Sequence, residues 1–101
     1  MNQTKTQLIK NIAAKVDTNK ISNLRQEYPK SKTLRQLVNC EQRIQESNND
    51  QEVFRLGTRI AYYLDAICDP NKADYVKSEE EKKHLLAISK ELFENTIGVK
   101  E

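Results

Sequence analysis

One histidine, two cysteines and scattered carboxylates are all that this 101-residue chain offers to acid–base, nucleophilic or metal chemistry. His84 projects at the border between the apolar and charged faces of a helix, the place of a partly exposed structural side chain rather than of a base held beside a nucleophile. Glu79, Glu80 and Glu81 are adjacent, so on a helix they point in three directions. That suits capping and solvation, not two carboxylates facing each other across a cleft. Cys40 and Cys68 are too few and too far apart in sequence for a disulfide framework, and both border or lie within apolar stripes, where thiols behave as small inert hydrophobes. Residues 69–80 place Asp69, Asn71 and Glu80 at positions one, three and twelve of a calcium loop. Ala73 at five, Asp74 where the turn needs Gly and Lys77 at nine remove both the ligand count and the sharp turn. No CxxC, HExxH, G-x-S-x-G or Gly-rich phosphate loop is present. No catalytic residues, metal or cofactor are therefore expected.

Binding chemistry is better represented. Tyr62 projects from the centre of the polar face of its helix, beside Arg55 and Arg59, and exposed Tyr with Arg is the composition of interface hot spots. A second polar group, Lys32, Arg35, Gln36, Asn39, Gln42 and Arg43, comes nearest to a groove-reading helix face. It keeps open the alternative of a small helical DNA-binding regulator. Residues 1–50 carry nine basic and five acidic side chains, residues 51–101 eight and ten, so the asymmetry that would favour nucleic acid is mild. Lys5, Lys10, Lys15, Lys20, Arg25 and Lys30 recur every five residues, but five steps precess by about 140° around a helix and build no stripe.

The elements that must position these groups are helical. Two Gly and two Pro are too few for the turns of an all-β domain, and the apolar residues follow helical spacing. Leu8, Ile9, Ile12, Ala13 and Val16 fill an arc of about 140°. Ile21, Leu24 and Tyr28 form a stripe rotated by about 120° from it, which one straight helix cannot bury together with the first. Asp17, Thr18 and Asn19 lie between the two stripes and favour a kink, a turn or a new N-cap near residues 17–20.

Ser31 is placed to cap a helix from about residue 32, with Leu34, Leu37, Val38 and Ile44 as its stripe and Cys40 at the edge. Glu41 projects into that stripe and requires a partner or a route to water. Asn49 with Glu52 resembles a cap for the next helix, whose broad apolar face runs from Val53 to Cys68 and includes Gly57, where another chain segment can approach closely. Asp69, Pro70 and Asn71 stop it. Ser78 followed by three glutamates caps a last helix from 79, with Leu85, Leu86, Ile88, Ser89, Leu92 and Phe93 on its apolar face. Four principal amphipathic helices, the first divided or kinked, predict an all-α antiparallel four-helix bundle as one domain over 1–101, with a short tail at 95–101.

No apolar run reaches the length of a signal-peptide core or a membrane span, and two cysteines suit a reducing cytoplasm. The net charge is +2, and a chain of this length supports one modest core and no large internal active site.

Two segments add a resemblance. The opening Met1-Asn2-Gln3-Thr4-Lys5-Thr6-Gln7-Leu8-Ile9-Lys10 resembles the start of immunity proteins for pediocin-like (class IIa) bacteriocins. So does Arg59-Ile60-Ala61-Tyr62-Tyr63, followed by a loop and then by Val76-Lys77-Ser78-Glu79-Glu80-Glu81-Lys82-Lys83 leading into Leu85-Leu86-Ala87-Ile88-Ser89-Lys90-Glu91-Leu92. The resemblance implies a cytoplasmic four-helix bundle, active at the inner face of the membrane through its partner. That partner is the bacteriocin-bound mannose phosphotransferase permease, whose pore the protein blocks; no enzyme activity and no nucleic acid are involved. In that family the C-terminal half sets which bacteriocin is countered. This makes the last helix and its end, Asn95, Thr96, Ile97, Val99, Lys100 and Glu101, the first candidates for recognition, with Tyr75 and Val76 in the preceding loop next.

Overall fold

The computed structural model describes residues 5–97, and all of its regular elements are helices: α1 (Lys5–Ala13), α2 (Thr18–Glu27), α3 (Lys32–Glu46), α4 (Asp50–Cys68) and α5 (Glu79–Asn95). Five helices thus stand where four were expected, because the first apolar stretch is divided. The end of α1 tightens into short-range bonds, Lys15 N–H to Ile12 O and Val16 N–H to Ala13 O, as terminal turns often do. Asp17 is then extended and caps α2, its Oδ1 accepting the Lys20 N–H at 3.1 Å. The change of direction lets Val16 and Ile21, which belong to the two differently rotated stripes, both enter the core at 4% and 2% exposure.

Local sequence sets the other boundaries as well. Tyr28 precedes Pro29 and leaves helical geometry, since the proline ring disfavours it there. Ser31 Oγ accepts the Leu34 N–H at 3.2 Å, Asn49 Oδ1 the Glu52 N–H at 3.0 Å and Ser78 Oγ the Glu81 N–H at 3.2 Å, one cap for each later helix. The reciprocal half of the capping box is not used. Glu52 instead accepts from Ser47 Oγ and Arg43, and the Glu81 carboxylate reaches Lys20 Nζ of α2 at 2.7 Å.

Packing follows from which helices touch. α4 packs against α1, α3 and α5, and α1 also touches α3 and α5, so α1 and α4 form the short diagonal of the core. α3 and α4 run antiparallel, with Arg43 meeting Glu52 near the connecting loop. α4 and α5 do likewise, with Ser89 Oγ on Ala61 O and the Thr96 methyl at Gly57. α1 runs in the sense of α4, Thr6 bonding Asp50 and Ile9 lying at Gly57. Ile9, Leu34, Leu37, Ile44, Ile60, Leu64, Ile67 and Leu92 are fully buried, each contributing about 1.5–3 kcal/mol by leaving water.

α2 stands apart, since among the described helices it approaches only the backbone of α3 closely. Leu8 and Leu86, expected on apolar faces, are 38% and 40% exposed, each lying at the rim of its apolar arc. Phe93 is half-buried and packs against the edge of the core.

The loop after α4 is fastened by its own backbone. Tyr75 and Val76 N–H both donate to Ile67 O, and Asp69 O accepts from Lys72, Ala73 and Asp74. Asp74 adopts a left-handed φ of 58°, a conformation Asp tolerates better than most residues. Its carboxylate faces Lys77 and Lys82. No helix among the described residues is long and apolar enough to cross a membrane.

Candidate functional site

Arg55, Arg59 and Tyr62 fall at i, i+4 and i+7 of α4, which places them on one outward stripe. Tyr62 is 57% exposed, the most exposed large hydrophobic side chain among the described residues. Its ring meets Phe93 of α5 edge-to-face, with centroids 5.0 Å apart and planes at 80°, a favoured aromatic geometry. Tyr62 therefore belongs to the seam between α4 and α5. Sequence reasoning assigned Phe93 to the core face of the last helix and so missed half of this pair. The available signal was Phe93 lying at the margin of that helix's apolar arc.

The two arginines are exposed and enter no ion pair or hydrogen bond among the described residues. Their surroundings show that they belong to one group. Burial pushes the Cys40 thiol up, while Arg59 and Arg43 pull it down. The Ser47 hydroxyl, then Arg43 by hydrogen bond and charge, then Arg55 hold the Glu52 carboxyl below its ordinary value. Arg43, Arg55 and Arg59 thus flank the α3–α4 seam, with one carboxylate, Glu52, set among them. The α3 polar group and the α4 stripe, separate in sequence, adjoin here.

The candidates at the end of α5 divide by role. Asn95 donates to Glu91 O at 2.8 Å and accepts from Lys5 Nζ, and Thr96 Oγ1 donates to Leu92 O while its methyl packs at Gly57, so both finish the helix. Ile97 is 54% exposed. Val99, Lys100 and Glu101 lie outside the described residues.

Tyr75 and Val76 sit at Ile67, about 7.5 Å along α4 from Tyr62 and bonded to its buried side, and do not join Tyr62. Val76, expected as a recognition residue, is 3% exposed and part of the core. The backbone bonds to Ile67 O turn its side chain inward, out of a partner's reach. Tyr75 tilts against Tyr28 at 4.5 Å and lines a 340 Å³ cleft with Lys20, Leu24, Tyr28 and Glu81. Tyr28 was legible as the last residue of the α2 stripe; its pairing across 47 positions was not.

The reactive groups stay apart. His84 is exposed, and Glu79 and Glu80 face solvent. Burial pushes the Cys68 thiol up to about 11, against the pull of Lys82 and with a further push from Asp65 and Glu81, so at neutral pH it is a protonated, poorly nucleophilic core side chain. Among the described residues no three His, Cys, Asp or Glu side chains converge as metal ligands. Among the described residues the surface of α4 carries one half of an exposed ring pair at the α4–α5 seam and unpaired arginines beside the α3–α4 seam. No family model, no curated protein and no solved structure matches this chain.

Proposed function

We propose that this protein is an immunity protein of the pediocin-like type, a non-enzymatic helical binder that acts from the cytoplasmic side. In this reading α1, α3, α4 and α5 form an antiparallel four-helix bundle to which α2 is appended. The bundle docks on a bacteriocin-bound mannose phosphotransferase permease and closes the pore. The observation that carries the reading is the Tyr62–Phe93 pair, which lies in the half of the chain that resembles the immunity proteins and joins the two helices that half contains. Arg55, Arg59 and Ile97 supply charged and apolar contacts on the same side.

The test is protection. Expressed in a strain sensitive to pediocin-like peptides, the protein should protect against at least one of a panel, and exchanging residues 51–101 with a relative should transfer the profile. Unchanged killing by every peptide, with the protein folded and abundant, overturns the reading.

The DNA-binding alternative is less well supported. Thr18, at the start of α2, hydrogen-bonds Glu41, ten residues into α3, so the two helices lie side by side as a hairpin. A helix-turn-helix reader holds its two helices at about 90–120°, leaving the second free to enter a groove.

A further inference from the structure

The polar side chains of α3 and the arginines of α4 meet on one face. Lys32, Gln36, Asn39 and Arg43 fall at i, i+4, i+7 and i+11 of α3, an exposed stripe, and Arg55 and Arg59 stand one turn apart on the outer side of α4. The two stripes adjoin. Arg43 and Arg59, one from each helix, both act on the Cys40 thiol, and Arg43 and Arg55 both act on Glu52. α3 and α4 together hold five basic and five acidic residues, but three of the acids turn their charge to other helices. Glu41 is buried against Thr18 of α2, Asp50 accepts from Thr6 of α1, and Asp65 accepts from Ser89 of α5. Glu46 and Glu52 remain, so the face carries 5 − 2 = +3, against +2 for the whole chain. Both lie near the α3–α4 loop, and Glu52 is already held by Ser47 and Arg43 at 2.7 and 3.0 Å. Away from that loop, residues 32–40 of α3 and 53–64 of α4 contain no Asp or Glu. Lys32, Arg35, Arg55 and Arg59 are exposed, and their side chains are unpaired among the described residues.

From this segregation of charge we infer that the α3–α4 face is the docking surface for a short acidic segment of a partner protein. Carboxylates of the segment pair with Arg55 and Arg59, Gln36 and Asn39 supply hydrogen bonds on the α3 side, and the exposed Tyr62 ring borders the contact on the other. Arginine takes a carboxylate through two parallel N–H bonds, and one helical turn separates carboxylates at i and i+4 of a partner helix as it separates these two arginines. Glu52 on Arg43 shows the same surface accepting a carboxylate of its own chain. The site is bounded on both sides. The acid-free stretch of α4 is about 18 Å long, and beyond Tyr62 the exposed side chains of α5 mix Lys83 and Lys90 with Glu79 and Glu94. That length suits two or three carboxylates. A nucleic-acid duplex fits less well, because its phosphates continue at one charge per about 1.7 Å of axis and would run on to Glu46 and Glu52. The inference rests on this face alone and holds whether or not the partner is the permease.

Titration of the isotope-labelled full chain with hexaglutamate at low salt, followed by NMR, tests it. Signals of Arg55, Arg59 and the α3 stripe should shift, and those of Arg25 and Lys30 should stay in place. Each exposed arginine–carboxylate pair strengthens binding about two- to fivefold, so R55S/R59S should weaken it about four- to twenty-five-fold. R25S/K30S, which removes the same charge from α2 and the following turn, should leave binding unchanged. E52Q releases Arg43 and should tighten binding about two- to fivefold, whereas E79Q, which removes the same charge from α5, should not. Circular dichroism confirms that each variant remains helical. Absence of binding at low salt overturns the inference. So do shifts centred on another face, equal losses in R25S/K30S and R55S/R59S, or tighter binding to a short DNA duplex than to hexaglutamate. Binding at this face without protection in the bacteriocin challenge would retain this inference and overturn the immunity reading; protection without such binding would do the reverse.

Discussion

Thr18 Oγ1 donates to Glu41 Oε1 at 3.3 Å, joining the first residue of α2 to a carboxylate in the apolar stripe of α3. Glu41 is 8% exposed and sits among Val16, Ile21, Leu37 and Val38. Burial pushes its carboxyl above the ordinary value of 4.5, and the Thr18 hydroxyl offsets part of that rise. A carboxyl raised in the folded state binds its proton more tightly there. Stability therefore falls as pH rises from the unfolded value through the folded one. Glu41→Gln removes the charge but keeps an acceptor for Thr18. The variant should melt at a higher temperature than the wild type at pH 7, with the gap closing as pH approaches 4.5. Glu52 and Asp74, both held below their ordinary values, lose stabilising interactions on acidification in both proteins, so the difference between the two melting curves isolates Glu41. A gap that stays constant from pH 4.5 to 7 would contradict the assignment.

Glu41 also marks the boundary of what the chain discloses before folding. That it projects into an apolar stripe is a matter of helical angle. That its partner would be Thr18 required knowing how α2 lies on α3. The caps Asp17, Ser31, Asn49 and Ser78 were legible because each acts on a backbone amide three residues away, within one turn. The destinations of the Glu52 and Glu81 carboxylates were not, since Ser47, Arg43 and Lys20 compete for them through space. The same distinction separates the two halves of the site. Tyr62 was visible as an exposed ring opposite an apolar arc, whereas Phe93, and the burial of Val76, depend on neighbours from other elements.

Gly57 should resist enlargement. A Cβ there would lie 2.8 Å from Ile9 Cγ2 and 3.3 Å from Thr96 Cγ2, and the first contact involves the stiff, β-branched end of a fully buried side chain. Gly57→Ala gains about 1 kcal/mol of helix propensity but overpacks at a typical cost of about 1–3 kcal/mol, for a net loss of up to about 2 kcal/mol. Ile9→Ala alone should cost about 2–5 kcal/mol. Chemical denaturation of the double variant should show a loss smaller than the sum of the two, because the new methyl fills space that Ile9 vacates. Strict additivity would mean that the two groups do not compete for the same volume.

Tyr62→Ala should separate binding from folding. The ring is more than half exposed, and an edge-to-face pair contributes about 0.5–1.5 kcal/mol, so the melting temperature should move by only a few degrees. Protection in the challenge assay should nevertheless fall sharply, while Tyr62→Phe, which keeps the ring against Phe93, should retain most of it. A Tyr62→Ala protein as protective as the wild type would remove the ring pair from the recognition surface.

α2 should be the first helix to open. Among the described helices its backbone approaches only α3 closely, it buries Ile21 fully and Leu24 in part, and two side-chain contacts hold it and its C-cap Tyr28 to the far side of the molecule: Lys20 to Glu81 and Tyr28 to Tyr75. Lys20 is well exposed, so that ion pair is screened and steers more than it stabilises. Amides of α2 should therefore exchange with solvent through a partial opening, well below the free energy that protects α4, which touches every other core helix. Tyr75→Ala should speed exchange in α2 and leave the middle of α4 unchanged, whereas Gly57→Ala should lower protection throughout the core. If α2 instead proves as slow as α4, the hairpin is an integral part of the core and its separate packing against α3 has no dynamic consequence.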